Sequence, residues 1–200
     1  VMVASPRDDD RVVAHNANEG RFPPREFRIG ELLPPGERGN WLDYINEAGI
    51  EAGDWGNLIR APILYLQDQC PDRSLRGMDL AVAGDIPIAA GLSSSSALVV
   101  ATLEAVLAAN DMTLPREEKA EFCGRAEWYV GTRGGAGDHA AILYGKRGAI
   151  LSVQFFPLRM AEVPFPGGYR VVSCNSCVEH HDASTYNERV ATYEIGLRLI

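Results

Sequence analysis

Two hundred residues, 46% of them hydrophobic, can bury a sizeable core; this excludes an intrinsically disordered chain and suits one domain, or one domain and part of a second. A formal charge of −8, with no cluster of Lys and Arg interleaved with aromatics, argues against a nucleic-acid partner, because phosphate neutralisation dominates that affinity. The longest apolar stretch, 97–109, is interrupted by Thr102 and Glu104 and is too short to span a bilayer, so no membrane partner is expected. No signal peptide is legible, and four irregularly spaced cysteines do not form a disulfide framework, so a reducing, cytoplasmic setting is expected. Position 1 is valine, within a strand-like run, and the last residues read as helix; a piece of a longer protein is expected.

Short β segments are expected at 1–5 (VMVAS), 11–16 (RVVAHN) and 25–29 (REFRI), separated by the turn-prone RDDD and NANEGRFPP stretches. PPGERGN, 34–40, reads as a loop. Mixed apolar spacing over 41–67, with Trp41, Tyr44 and Ile45 and then Leu58, Ile59, Ile63, Leu64 and Leu66, predicts two helices broken near Gly49 and Gly53. Met78, Leu80 and Val82 alternate within 77–85 and predict a strand. Helices come next, over 94–110 and 115–130. The second has Pro115 at its first turn, Glu117 and Glu118 near its positive end and Gly131 past its last turn. Beyond it, AAILY (140–144) and AILSVQF (149–155) flank the turn Gly145–Gly148 and predict a hairpin; GYRVVSC (168–174) predicts another strand, and 183 onward a helix. There is no internal repeat. Strands and helices mix without regular βαβ alternation, which favours an α+β fold over a doubly wound sheet.

The stretch IPIAAGLSSSSALVV, 86–100, sets four serines between apolar runs. The spacing of Leu98, Val99, Leu103, Val106 and Leu107 makes 97–109 helical, so the serines fall at a helix N-terminus, where free N–H groups and the dipole favour negative charge. Gly91 lets the backbone turn tightly or approach a ligand closely. Apolar strand, glycine, hydroxyl run and helix together make a recipe for a phosphate, with a hydroxyl left over for Mg²⁺. A helix cap is the plainer reading, and it accounts for one serine of the four. The loop is not a Walker A motif, since no Lys follows the glycine.

Candidates for a metal ligand and a base lie in RAEWYVGTRGGAGDH, 125–139. Glu127 falls at the edge of a helix's apolar stripe, where a carboxylate is costly unless a cation or hydrogen bonds compensate it; a rim salt bridge would do so as well. Asp138 sits in a glycine-rich turn, among Gly131, Gly134, Gly135 and Gly137 and just before an apolar run. It either starts that turn or aims its carboxylate at a substrate that the glycines admit. Cys174 and Cys177 with His180 and His181 place four possible zinc ligands in eight residues, a weak signal for a metal-binding module.

PIAAGLSSSSAL is similar to the second signature of the GHMP small-molecule kinases, P-x-x-x-G-L-S-S-S-A, through Pro87, Gly91, Leu92, Ser93, Ser94 and Ser95, with Ser96 where Ala is frequent. RAEWYVGTRGGAGDH resembles the Glu…Gly-Gly-Gly-x-Asp segment of galactokinases and N-acetylgalactosamine kinases, and NSCVEHHDASTYNERV, 175–190, resembles a later segment of theirs. The resemblance implies a GHMP kinase-like α+β fold, with a mixed sheet and helices on one side of it. Residues 1–165 would be the N-terminal, ATP-binding domain, and 166–200 would begin a C-terminal lobe.

The resemblance further implies a sugar-1-kinase that uses ATP and Mg²⁺ on galactose or a related hexose. Ala89, Ala90, Gly91, Leu92, Ser93, Ser94 and Ser95 would hold the triphosphate, Ser95 and Glu127 would ligate Mg²⁺, and Asp138 would be the catalytic carboxylate. Gly135 and Tyr186 would join Asp138 in contacting the sugar. His139 stands where many relatives carry Gln, and Gly-Ala-Gly precedes Asp138 where Ile-Met or Gly-Met is usual; both changes border the expected sugar site, so an N-acetylhexosamine or a uronic acid remain alternative acceptors. The family's N-terminal motif, which carries further sugar ligands, and its C-terminal glycine-rich motif are not in these 200 residues, which alone are expected to bind poorly; a non-catalytic sugar or nucleotide sensor is the other alternative.

Overall fold

The computed structural model describes residues 1–155, 157–174, 177 and 184–199, with the backbone alone at 184–186 and 194. Four strands, β1 (Met2–Pro6), β2 (Arg11–Asn16), β3 (Arg25–Arg28) and β4 (Met78–Val82), form one sheet in the order β1-β4-β2-β3. β1 runs antiparallel to β4, and β2 antiparallel to β3, while β2 and β4 are parallel, with Val12 opposite Met78 and Ala14 opposite Leu80. The sheet is therefore mixed, as expected from the resemblance. Alternation along the strands puts Val12, Ala14, Met78 and Leu80 on one buried face and leaves Asp79 and Ala81 on an exposed one.

A parallel pair needs a long crossover, and the chain between β2 and β4 supplies it with α1 (Trp41–Glu47) and α2 (Asn57–Gln69). Ile59, Ile63, Leu64 and Leu66 make α2 the middle of the core, where α3 (Ser94–Ala109) packs on it through Val99, Leu103, Val106 and Leu107. α3 also contacts β1, so the helices lie on the sheet's buried face. α4 (Arg116–Ala126) completes that layer, its stripe of Ala120, Cys123 and Ala126 fully buried; in so apolar a place the Cys123 thiol is pushed well above its usual range by desolvation. Among the described residues no helix is long and apolar enough to cross a membrane.

Two expectations fail. AAILY is not a strand: it lies in α5 (Gly137–Tyr144), which packs His139, Ala140 and Tyr144 inward against α4 and α3, with the Gly145 N–H closing onto the Ala141 carbonyl at 2.8 Å. The hairpin is formed instead by β5 (Ala149–Gln154) and β6 (Arg159–Pro164), paired antiparallel from Ala149↔Pro164 to Gln154↔Arg159. Residues 168–174 form no strand either: Tyr169, Val171 and Val172 are 70–79% exposed, and without a neighbouring strand an apolar β run has no ladder to join. The expected last helix is present as α6 (Ser184–Arg198).

Candidate active site

Between β4 and α3 the backbone visits the left-handed region at every second residue, with φ of 56° at Ala89, 67° at Gly91 and 58° at Ser93. Alternation of this kind over 89–93 is a backbone geometry that can turn successive N–H groups toward one side, as anion-binding nests do. The segment runs directly into α3, whose first N–H groups have no partner within the helix. Only Gly91 adopts this conformation without strain; an L residue there costs about 1–2 kcal/mol. The capping role open to one serine is not taken, because Ser93, the residue before the helix, makes no side-chain cap hydrogen bond.

Two of the four serine hydroxyls, those of Ser95 and Ser96, turn to a carboxylate. Ser96, buried within the first turn of α3, donates its Oγ–H to Glu127 Oε2 at 2.8 Å. Glu127 opens the 3₁₀ turn Glu127–Val130 that continues α4, and its side chain is 13% exposed. Burial pushes its carboxyl upward in pKa, but contacts from His139, Ser96 and Ser95 outweigh that and hold it below the usual carboxylate range. His139 Nε2 lies 3.0 Å from the same Oε2, close enough for an ion pair although its angle falls short of an aligned hydrogen bond. Asp138, beside His139, is exposed in the first turn of α5 rather than in a turn before a strand. Its helix is seated closely: a Cβ on Gly124 of α4 would stand 3.1 Å from the Ala136 Cα, so the 135–136 backbone packs directly on that helix.

Residues 57–146 match the GHMP kinases N terminal domain. The galactokinase of Dictyostelium discoideum is 27% identical over 201 residues, covering 96% of this chain and 37% of its own length. That of Schizosaccharomyces pombe is 33% identical over 217 residues, covering 98% and 40%. A solved galactokinase of Lactococcus lactis, complexed with galactose, superposes with a TM-score of 0.69 at 23% identity, over 98% of this chain and 47% of that one. This chain carries a GHMP kinase N-terminal domain. It has the fold of that family and spans 37–40% of the length of the two galactokinases it matches in sequence.

Within this GHMP kinase domain, Ser96, Glu127 and His139 join the glycine–serine loop to the segment that carries Gly135 and Asp138. Gly91 and Leu92 are exposed and Ser93, Ser94 and Ser95 half-buried, open to a ligand from outside. His139 is 2% exposed and backs onto Glu127 instead of facing outward beside Asp138. Tyr186 lies in α6, but its side chain is outside the described residues, as are His180 and His181 of the candidate zinc site. A cleft lined by Arg116, Glu117, Tyr144, Leu151, Met160 and Glu162 contains none of these groups.

Sequence reasoning missed the residues that hold the glycine-rich segment. Trp128 donates its indole N–H to the Gly134 carbonyl at 2.9 Å, and the Arg133 guanidinium lies 5.2 Å over the Trp128 ring while it bonds to Asn46 of α1. Asn187 of α6 bonds Gly131 and Arg133. A tryptophan one residue after a buried carboxylate was a signal open to use; Asn187 carried none.

Proposed function

We propose that this domain holds the triphosphate of ATP on residues 89–95 and passes its γ-phosphoryl group to the anomeric hydroxyl of galactose or a related hexose beside Asp138. The observation that supports the reading is the contact chain Ser96–Glu127–His139, which joins the turn at the start of α3 to the turn of α5 that carries the exposed Asp138. Phosphoryl transfer asks for positioning and charge neutralisation more than covalent chemistry, and the site's groups supply both. The likeness to galactokinases supports a sugar as acceptor.

The bond that forms joins the sugar's anomeric oxygen to the γ-phosphorus, the bond that breaks is the one to the β,γ-bridging oxygen, and ADP leaves. The hydroxyl proton is taken or oriented by the Asp138 carboxylate, which sits where a sugar can reach it. Gly135 would offer its N–H and Tyr186 its side chain to the same sugar. Ser95 and Glu127 would hold Mg²⁺ together with phosphate oxygens: a hydroxyl beside a buried carboxylate kept ionised suits a hard cation that takes one or two protein oxygens. The cation would supply neutralisation of the phosphate charge. In this reading residues 1–165 form the nucleotide-holding domain and 166–200 begin the lobe that faces it.

The test is phosphorylation of a panel of free hexoses, N-acetylhexosamines and uronic acids with ATP by the full-length gene product. Asp138→Asn is expected to keep sugar and nucleotide binding and to lose about 10²–10⁴-fold in kcat. Glu127→Gln is expected chiefly to raise the Mg²⁺ requirement. Rescue of Asp138→Asn but not Glu127→Gln by excess Mg²⁺ would reverse the two roles. Binding of sugar and ATP without turnover of any panel member would favour a sensor.

A further inference from the structure

Asn187 stands in the first turns of α6, and both ends of its amide are used. Nδ2 donates to the Gly131 carbonyl at 2.7 Å, and Oδ1 accepts from the Arg133 N–H at 2.9 Å. Among the described residues these two are the hydrogen bonds that join α6 to the rest of the chain. One donor and one acceptor, pinning backbone groups on either side of Thr132, reproduce what a neighbouring strand would offer this loop.

We propose that Asn187 is a positioning residue for the acceptor loop: it clips 131–133 to α6 and thereby fixes where Gly135 and Asp138 present themselves. This rests on the reading of Asp138 and Gly135 as the acceptor's partners. The segment needs such a clip because four of its seven residues from 131 to 137 are glycine, so its own backbone resists little. Gly131 ends the 3₁₀ turn with φ 89°, its N–H bonded to the Trp128 carbonyl, so that carbonyl and indole hold one flank of the loop and Asn187 holds the other. Gly124 of α4 backs residues 135–136 from behind. The loop thus has four supports, Trp128, Gly124, Asn46 through Arg133, and Asn187, and among the described residues only Asn187 ties it to α6. A shift of α6 reaches the acceptor loop first, through this clip, while the phosphate loop takes its φ angles from its own backbone.

The amide is specific for the task. Aspartate would still accept from the Arg133 N–H but would set a lone pair against the Gly131 carbonyl, and alanine would leave both backbone groups to water.

The test measures Asn187→Ala and Asn187→Asp in the full-length gene product by two readouts. The first is hydrogen exchange at the Arg133 amide without ligand. It is expected to speed up severalfold or more in the alanine variant and less in the aspartate variant, which keeps the acceptor. The second is the split of kinetic constants: the KM for sugar is expected to rise about tenfold in Asn187→Ala, with the KM for ATP within about twofold of the parent. Unchanged exchange at Arg133 overturns the clip. Faster exchange with an unmoved sugar KM, or with both KM values raised alike, overturns the positioning role. Should Asn187→Ala fail to fold, the aspartate variant, which loses the Gly131 bond but keeps the acceptor for Arg133, decides by its sugar KM: a rise with the ATP KM steady supports the positioning role, and an unmoved sugar KM overturns it. If the parent protein phosphorylates no sugar, the kinase reading fails, while the exchange result still decides whether the clip exists.

Discussion

The loop that leads into α3 takes its shape from its own backbone, whereas the segment from Glu127 to His139 is held by side chains that arrive from elsewhere. Ala89, Gly91 and Ser93 supply the first with three left-handed φ angles and no side-chain cap. The second is tied by Ser96 from α3, Trp128 from within, Asn46 from α1 and Asn187 from α6. The difference fits what each would recognise under the proposed function. A phosphate is satisfied by N–H groups, which any residue carries, so local backbone geometry suffices. A sugar hydroxyl needs one carboxylate within about 2.6–3.2 Å, and a glycine-rich segment holds such a distance only if its surroundings over-determine it. Substitutions in the first region should therefore act through backbone conformation, and those in the second through lost partners.

The largest expected effect tests whether the support of the second region reaches down to the core. Asp54 binds Arg25 at 2.7 Å and Arg60 at 2.9 Å with its side chain 17% exposed, and Tyr129, two residues after Glu127, feels the charges of Arg60 and Asp54. Burial pushes the Asp54 carboxyl up in pKa, but the Gly56 N–H and the two guanidinium groups more than offset this and hold it below its usual range. Its stabilising contribution is therefore complete above the ordinary carboxylate range and is lost as pH falls through the lowered folded value. Asp54→Asn is expected to cost about 1–3 kcal/mol at neutral pH and to flatten the acid limb of a plot of Tm against pH, with the KM for ATP unmoved. An ATP KM that rises as much as the sugar KM would mean the two regions are not separately supported. Next in size is Gly91→Ala. A Cβ there meets nothing within 4 Å, so the cost is conformational alone, about 1–2 kcal/mol. It should appear as a several- to thirtyfold rise in the KM for ATP with the sugar KM steady; the reverse split would sink the assignment of this loop to the nucleotide.

Legibility in the sequence divides in the same way. Local signals were legible: the period of Leu98, Val99, Leu103 and Val106 gives α3, the alternation of Met78 and Leu80 gives β4, and Gly91 marks a backbone turn at positive φ before the helix. Glu127 was legible as a carboxylate at the edge of an apolar stripe. AAILY was not, because a short apolar run fits strand and buried helix alike, and the choice fell to packing against α4 and α3. The partners of the second region were illegible for a like reason. Asn46 and Asn187 are separated from the loop they serve by tens of residues, and an Asn on a helix surface is ordinary in itself. Nor does anything in the sequence announce an alanine or a serine at positive φ.

Trp128→Phe isolates one tie of the second region. It removes the indole N–H from the Gly134 carbonyl and keeps an aromatic ring beside Arg133 and Trp41. Losing that bond should cost about 1 kcal/mol, and the sugar KM should rise about fivefold with kcat for saturating sugar little changed. A fall in kcat at constant KM would instead place Trp128 in support of Glu127 or Asp138 during transfer, and the contrast would have to be redrawn around the metal rather than the acceptor.

The smallest effect is the sharpest test of the first region, because it predicts a gain. Ala89 holds φ 56° with a Cβ, a conformation that costs an L residue about 1–2 kcal/mol and glycine nearly nothing. Ala89→Gly releases that strain in the folded state but also frees the unfolded chain, which returns about 0.4–1 kcal/mol of the gain. The net should be a stabilisation of about 0.5 kcal/mol, a small rise in Tm. Binding of ATP should move little, since glycine adopts the same angle and adds no atom to the loop. A drop in stability would mean that Ala89 is not held at positive φ before the nucleotide arrives. The alternating backbone would then form only on binding, and the phosphate loop would depend on its ligand much as the acceptor loop depends on its side-chain partners.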